Sequence, residues 1–148
     1  MAINTRKVFI GGFAAGIVLN LIDYLSNVVI FGERMRADAN AFKPGLGDTM
    51  AAMDPAMLTS YVVMDFVVGF LLVWTYAAVR PRFGPGPTTA VKVGLLFWVF
   101  GLILSMGYLQ MGMMSSGLFW TYGLVWLVNL MLAVSVGGRI YTEDAATV

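Results

Sequence analysis

The stretch that decides the fold is residues 8–31, VFIGGFAAGIVLNLIDYLSNVVIF, in which Asp23 is the only charged residue. A bilayer core about 30 Å thick is crossed by roughly 20 apolar residues in an α-helix, so this run is long enough. Arg6 and Lys7 precede it, as in a signal peptide, but the run exceeds the roughly 7–15 apolar residues of a signal core and has no small-residue cleavage site at its end. We interpret it as a retained transmembrane helix.

Three further apolar runs, residues 58–79, 90–111 and 117–136, have the same character. Of the 148 residues in the chain, 59% are hydrophobic and 11% are charged, and the mean hydropathy is +0.83. Soluble domains carry about 25% charged residues, so this composition excludes them. The sequence therefore predicts an all-α integral membrane protein, with a single transmembrane domain over residues 1–148.

Local signals predict where the helices begin and end. Asp54 followed by Pro55 is typical of an N-cap with proline at the first helical position. Thr88 or Thr89 is expected to cap the third helix after a turn rich in Pro and Gly. The Gly-Gly pair at residues 137–138 predicts the end of the fourth helix.

The distribution of Lys and Arg predicts the orientation of the helices. With the N-terminus in the cytoplasm, the cytoplasmic side holds Arg6, Lys7, Arg80, Arg82, Lys92 and Arg139, and the outer side holds Arg34, Arg36 and Lys43. We therefore expect both termini in the cytoplasm, an outer loop at residues 32–57, and an up-down four-helix bundle in the inner (cytoplasmic) membrane.

The composition also limits the chemistry that the chain can perform. The absence of Cys excludes thiol catalysis, and the absence of His removes the usual imidazole ligand of zinc, copper and haem together with the commonest general base. A net charge of +1 gives no basic surface for nucleic acid. We predict no catalytic residues, no metal site and no cofactor, and hence a protein that is not an enzyme.

Small and polar residues form one line along the first span. Gly12, Gly16, Asn20, Asp23 and Asn27 recur at intervals of four, four, three and four, so they share a helical face. Glycines at this spacing permit close helix packing, and Asn side chains hydrogen-bond between helices in lipid. An Asp at the centre of a span costs roughly 2.5–3.5 kcal/mol on insertion scales, so it needs a partner.

Asp65 in the second span is the expected partner of Asp23. Each acid lies about eight residues from the outer end of its helix, which is near ~12 Å deep at about 1.5 Å per residue. Tyr61 and Gly69 share the helical face of Asp65.

The pair of acids has two interpretations. In one interpretation the paired carboxyls bind a cation or relay a proton, because closely spaced carboxylates resist double ionisation. In the other interpretation, each acid is protonated or hydrogen-bonded to a neighbour and only stabilises the helix bundle. The neighbours expected for such bonds are Tyr24, Asn27, Tyr61, Ser105 and Tyr108.

The outer side carries two further features. Met50, Met53 and Met57 would share a helical face, and thioethers suit Cu(I). Because Met is also a flexible apolar filler, we favour packing over copper binding.

The loop itself is the second feature. A loop of about 26 residues exceeds the roughly 12–15 typical of compact domains. It is interpreted as a docking surface for another subunit or as a mobile lid, with a short interfacial helix within residues 49–57.

Three residues of the last two spans have open surroundings. Trp98 and Trp126 lie deep in their spans, where they would contact lipid, a partner helix, or the aromatic part of a quinone or pigment. Asn129 lies near mid-span and is predicted to form an interhelical hydrogen bond.

The number of spans, the long first outer loop and the Pro- and Gly-rich cytoplasmic turn together resemble the small four-helix proteins of bacterial inner membranes that are grouped as domains of unknown function. No catalytic motif comes with this resemblance in layout. Our first hypothesis is a non-catalytic accessory or structural subunit of a larger energy-transducing or transport complex, or a homo-oligomer. The alternative is a small ion- or proton-coupled transporter that uses Asp23 and Asp65.

Overall fold

The computed structural model describes residues 3–52 and 54–143 of the chain. This part contains helices and no strands: α1 (Thr5–Tyr24), α2 (Gly32–Phe42), α3 (Leu46–Ala51), α4 (Pro55–Phe83), α5 (Pro87–Gln110) and α6 (Ser116–Ile140). A π-helical turn, Leu25–Ile30, continues α1. Four helices are long and apolar enough to cross a membrane, namely α1 with its π-helical turn, α4, α5 and α6. The architecture is therefore all-α, as predicted.

Each long helix begins before its predicted apolar run. The residue that caps the helix lies in the sequence that precedes this run. The side chain of Asn4 accepts a hydrogen bond from the Lys7 amide and so caps α1. The predicted cap of α4 is confirmed: the Asp54 carboxylate accepts from the Met57 amide at 2.7 Å, with Pro55 at the first helical position. These bonds satisfy amides that have no partner within the helix.

The predicted cap of α5 is wrong. Gly86, with φ 115°, is the N-cap residue, and Pro87 begins the helix. Thr89 is buried within the first turn, where its hydroxyl donates to the Gly84 carbonyl at 2.7 Å. The preceding turn is further held by the Gly86 amide, which donates to the Tyr76 hydroxyl at 2.9 Å. Proline favours the first helical position and has no amide to be capped, which moves the cap to the glycine before it.

The prediction that α6 ends at the Gly-Gly pair is also wrong. Gly137 and Gly138 are buried inside α6, which continues to Ile140. A Cβ atom on Gly137 would lie 2.8 Å from the carbonyl oxygen of Gly11, and one on Gly138 would lie 3.3 Å from the ring of Tyr76. These glycines permit close packing of α6 rather than ending it.

α1 is the central helix of the packing. It packs most extensively against α4 and then against α6, whereas α5 packs against α6 and α4. A Cβ atom on Gly12 would meet Phe70, and one on Gly16 would meet Phe66, so α1 and α4 run in opposite directions. The core between the helices is built from Val8, Ala15, Leu19, Leu72, Val73, Tyr76, Ala77, Ala90, Val93, Leu130, Ala133 and Val134.

The segment expected as the outer loop contains α2 and α3, which pack against each other. Within the described part of residues 49–57, the short helix is the end of α3, which begins earlier, at Leu46 after the left-handed Gly45. Arg36 and Asp48 join α2 to α3 through an ion pair of 2.6 Å. The Ser115 amide donates to the Asp38 carboxylate at 2.9 Å, so α2 is also tied to the start of α6.

Candidate functional site

The side chains of Asp23 on α1 and Asp65 on α4 lie next to each other across the interface between these helices. The close approach of the two helices makes this contact: a Cβ atom on Gly69 would lie 2.6 Å from both the Gly12 carbonyl oxygen and the Gly16 amide nitrogen. With only hydrogen at these positions, the backbones come near enough for two short acidic side chains to meet. Two neighbouring carboxyl groups resist double ionisation, so such a pair is chemically able to hold a proton.

Asn129 on α6 completes the acid pair from a third helix. Its side-chain amide donates to a carboxyl oxygen of Asp23 at 2.8 Å and to the Leu19 carbonyl at 3.4 Å. The residue is fully buried, and its Oδ1 has no hydrogen-bond partner within the described residues. The predicted interhelical bond of Asn129 is therefore present. Asn129 was not among the neighbours that we expected to form hydrogen bonds with the two acids.

The other predicted polar residues lie around the pair without joining it. The Asn20 amide donates to the Gly16 carbonyl of its own helix at 2.9 Å and to the Val62 carbonyl of α4 at 3.4 Å. The Asn27 amide donates to the backbone carbonyl of Asp23 at 2.8 Å. Tyr61 exposes 49% of its surface and has no hydrogen bond to either acid.

The π-helical turn begins two residues after Asp23. The Ser26 hydroxyl donates to the Ile22 carbonyl at 2.6 Å, and the Phe31 amide donates to the Ser26 carbonyl at 2.9 Å, five residues back along the chain. Single π-helical turns within α-helices are frequent at functional sites. The polar residues Ser26 and Asn27 were the available signal, since side chains that bond back to the helix backbone often accompany a local change of winding.

A cavity of about 300 Å³ lies on one side of the acid pair, and Asp23 is part of its wall. The cavity reaches Met35 of α2 and Met114 of the turn between α5 and α6, so it extends toward the end of the molecule that carries α2 and α3. Its other lining residues are Ser26, Asn27, Leu102, Ser105, Tyr108, Phe119, Tyr122, Gly123, Val125 and Trp126. Asp65 is not among its lining residues.

The deep aromatic residues of the last two spans contribute to this cavity. The Trp98 indole donates to the Gly123 carbonyl at 2.7 Å, which joins α5 to α6 at the cavity wall. Trp126 packs against Gly101 and lines the cavity directly. Neither arrangement follows from hydropathy, because the rotation of a helix about its axis within the bundle depends on all its neighbours.

The charge at the site is carried by carboxyl groups alone. The cavity lining contains Asp23 and no Lys or Arg. The described residues contain no group of three or more Asp and Glu side chains arranged to hold a metal ion. Met50 and Met57 are exposed, and Met53 lies outside the described residues.

Comparison of the chain with models of protein families, with curated proteins and with solved structures found no match. The function is therefore argued from the acid pair, its asparagine and the cavity beside them.

Proposed function

We propose that the protein is a small proton-coupled transporter of the inner (cytoplasmic) membrane, in which Asp23 and Asp65 hold the exchanged proton. The observation that carries this proposal is the nearness of the two carboxyl groups beside a cavity that Asp23 lines. Ionisable groups within a membrane span are expensive and mark ion or proton pathways by default. A pair that only stabilised the helix bundle would have no need of a cavity beside it.

The proposed orientation has an up-down bundle with both termini in the cytoplasm. The excess of Lys and Arg at the ends of the chain and in the turn between α4 and α5 supports it. In this orientation the cavity opens to the outer side.

Cysteine labelling tests this orientation. Because the native chain has no Cys, single substitutions give an unambiguous test. A membrane-impermeant maleimide added to intact cells is expected to label Ala41→Cys and to leave Thr88→Cys unlabelled; the reverse pattern would invert the proposed orientation.

The transport proposal is tested by proton flux in liposomes that contain the purified chain and a pH-sensitive dye in the lumen. A potassium diffusion potential, negative inside, drives proton entry. We expect entry above that of protein-free liposomes for the native chain and a fall to that background for Asp65→Asn. Asp48→Asn is the matched control, because Asp48 is exposed and pairs with Arg36 outside the spans. Unchanged flux in a folded Asp65→Asn variant would contradict the proposal.

The second candidate function is the accessory or structural subunit of a larger membrane complex. It is supported by α5, the least buried of the four long helices, on which Phe100, Ile103 and Leu104 each expose more than 60% of their surface. Another subunit or a second copy of the chain would cover this face, and an oligomer would also increase the number of helices available for transport. Purification in mild detergent that yields only a partner-free monomer would count against this candidate.

A further inference from the structure

We propose that the cavity beside Asp23 binds a small organic ammonium ion as the transported substrate. The inference rests on the proposed function, because it takes the cavity as the substrate path and the acid pair as its proton site. It adds the chemical class of the substrate.

The charge of the lining selects a cation. Asp23 is the one ionisable acid in the wall, and no Lys or Arg balances it among the lining residues. Asp65 lies next to Asp23 and adds a second carboxyl group near the wall. An anionic substrate would face these acids without a countercharge.

The aromatic content of the wall selects an organic cation over a bare metal ion. Tyr108, Phe119, Tyr122 and Trp126 all line the cavity. Aromatic rings attract cations, and sets of such rings are the characteristic binding site for substituted ammonium groups. A volume of about 300 Å³ lies at the lower end of small-molecule pockets, which are roughly 300–1,000 Å³. Metal ions such as Ca²⁺ instead prefer several carboxylate or carbonyl oxygen ligands, and Asp23 is the one carboxylate among the lining residues.

Two hydroxyl groups in the wall are available to a ligand. The Ser26 hydroxyl donates to the Ile22 carbonyl, and the Tyr122 hydroxyl donates to the Met35 sulfur. By contrast, the hydroxyl groups of Ser105 and Tyr108 have no hydrogen bond within the described residues, although both residues line the cavity. They can accept from an ammonium N–H group or bond to a hydroxyl that the ligand carries.

Binding and proton release are expected to be coupled one to one. The entering ammonium ion brings one positive charge to Asp23, and the proton shared with Asp65 leaves to solvent. The charge at the site is then unchanged. No covalent bond forms, and the ammonium ion keeps its own substituents.

The experiment measures binding of choline and of its neutral isostere 3,3-dimethyl-1-butanol to the purified full chain in nanodiscs. Isothermal titration calorimetry in two buffers of different ionisation enthalpy gives both the affinity and the protons released. We expect choline to bind at least about tenfold more tightly than the alcohol, with close to one proton released. Tyr108→Leu is expected to weaken choline binding by about threefold or more. Tyr61→Leu, the matched change of an exposed tyrosine outside the cavity, is expected to leave it unchanged.

Each outcome of this experiment either supports or overturns the proposal that the cavity binds an organic ammonium ion. Equal binding of choline and the alcohol, no binding of choline, or equal effects of the two tyrosine variants would overturn it. Tyr108 exposes 56% of its surface, and its hydroxyl has no hydrogen bond within the described residues, so its replacement keeps the test valid even if Asp23→Asn does not fold. Failure of the proposed function is distinguishable. Proton flux that depends on Asp65 without choline binding removes the substrate only, whereas choline binding without Asp65-dependent proton flux, when choline is also present in the liposome lumen as the exchange partner, removes the transport.

Discussion

At the residue scale, the protein places three polar side chains from three helices in contact within apolar surroundings. Asp23 lies next to Asp65 and accepts a hydrogen bond from Asn129. The common depth of the two acids followed from the sequence, because the rise of an α-helix fixes the depth of each residue along its axis. The participation of Asn129 did not, because the rotation that turns it toward α1 is set by the packing of Leu19, Leu130 and their neighbours.

The bond between Asp23 and Asn129 is expected to couple their contributions to stability. In a double-mutant cycle of Asp23→Leu and Asn129→Leu, we expect a coupling free energy of about 0.6–1.7 kcal/mol, the range found for interhelical hydrogen bonds in membranes. Unfolding titrations in detergent measure it. The matched cycle pairs Asp23→Leu with Asn20→Leu, and its coupling should be near zero because Asn20 bonds to backbone carbonyls. Similar coupling in both cycles would refute a specific bond.

At the element scale, glycine contacts set the spacing between α1 and its neighbours. Gly12, Gly16 and Gly69 bring α1 against α4, and Gly11 and Gly137 bring it against α6. The spacing of the first two glycines indicated a packing seam, but the role of Gly137 was missed because a glycine near the end of an apolar run also fits a helix stop. The π-helical turn was missed because hydropathy does not distinguish it from an α-helical one.

Gly69→Ala is expected to destabilise the fold by about 1–3 kcal/mol, because the added methyl group meets backbone atoms that cannot move independently. Gly107→Ala is the matched control in α5, where a Cβ atom would meet nothing within 4 Å. It should be neutral or stabilising by about 0.5–1 kcal/mol, since Ala favours a helix over Gly. Thermal unfolding of both variants in the same detergent tests the contrast. Equal stability of the two variants would show that the α1–α4 spacing is not set by Gly69.

The contact between α2 and α6 is expected to depend on pH. Hydrogen bonds from the hydroxyl of Ser115, and then from its amide, hold the pKa of Asp38 below its usual value. A lowered folded-state pKa means that this stabilisation is present above the unfolded value of about 3.9 and is lost as the pH falls through the folded-state pKa. Hydrogen exchange of the α2 amides, corrected for intrinsic rates, should therefore speed up on acidification below about pH 4. Asp38→Asn should lack this acid transition, and an identical transition in the variant would assign it to another group.

At the scale of the whole molecule, four apolar helices enclose a narrow core and one polar site. The sequence was sufficient to predict the helices, since length and composition decide membrane insertion. The segment predicted as a long outer loop instead forms α2 and α3. Its polar composition had indicated a loop rather than helices. The cavity could not be predicted, because its wall comes from separate parts of the chain whose meeting depends on helix rotation.

The central claim is that Asp23 and Asp65 share a proton that the cavity connects to solvent, and the infrared spectrum of the chain in lipid tests it most directly. We predict a band from a protonated carboxyl group in neutral buffer, a shift of that band on transfer to D₂O, and its loss in the double variant Asp23→Asn with Asp65→Asn. Asp48→Asn should keep the band, because Asp48 pairs with Arg36 away from the site. A spectrum of the native chain without such a band, or a band that survives in the double variant, would contradict the claim.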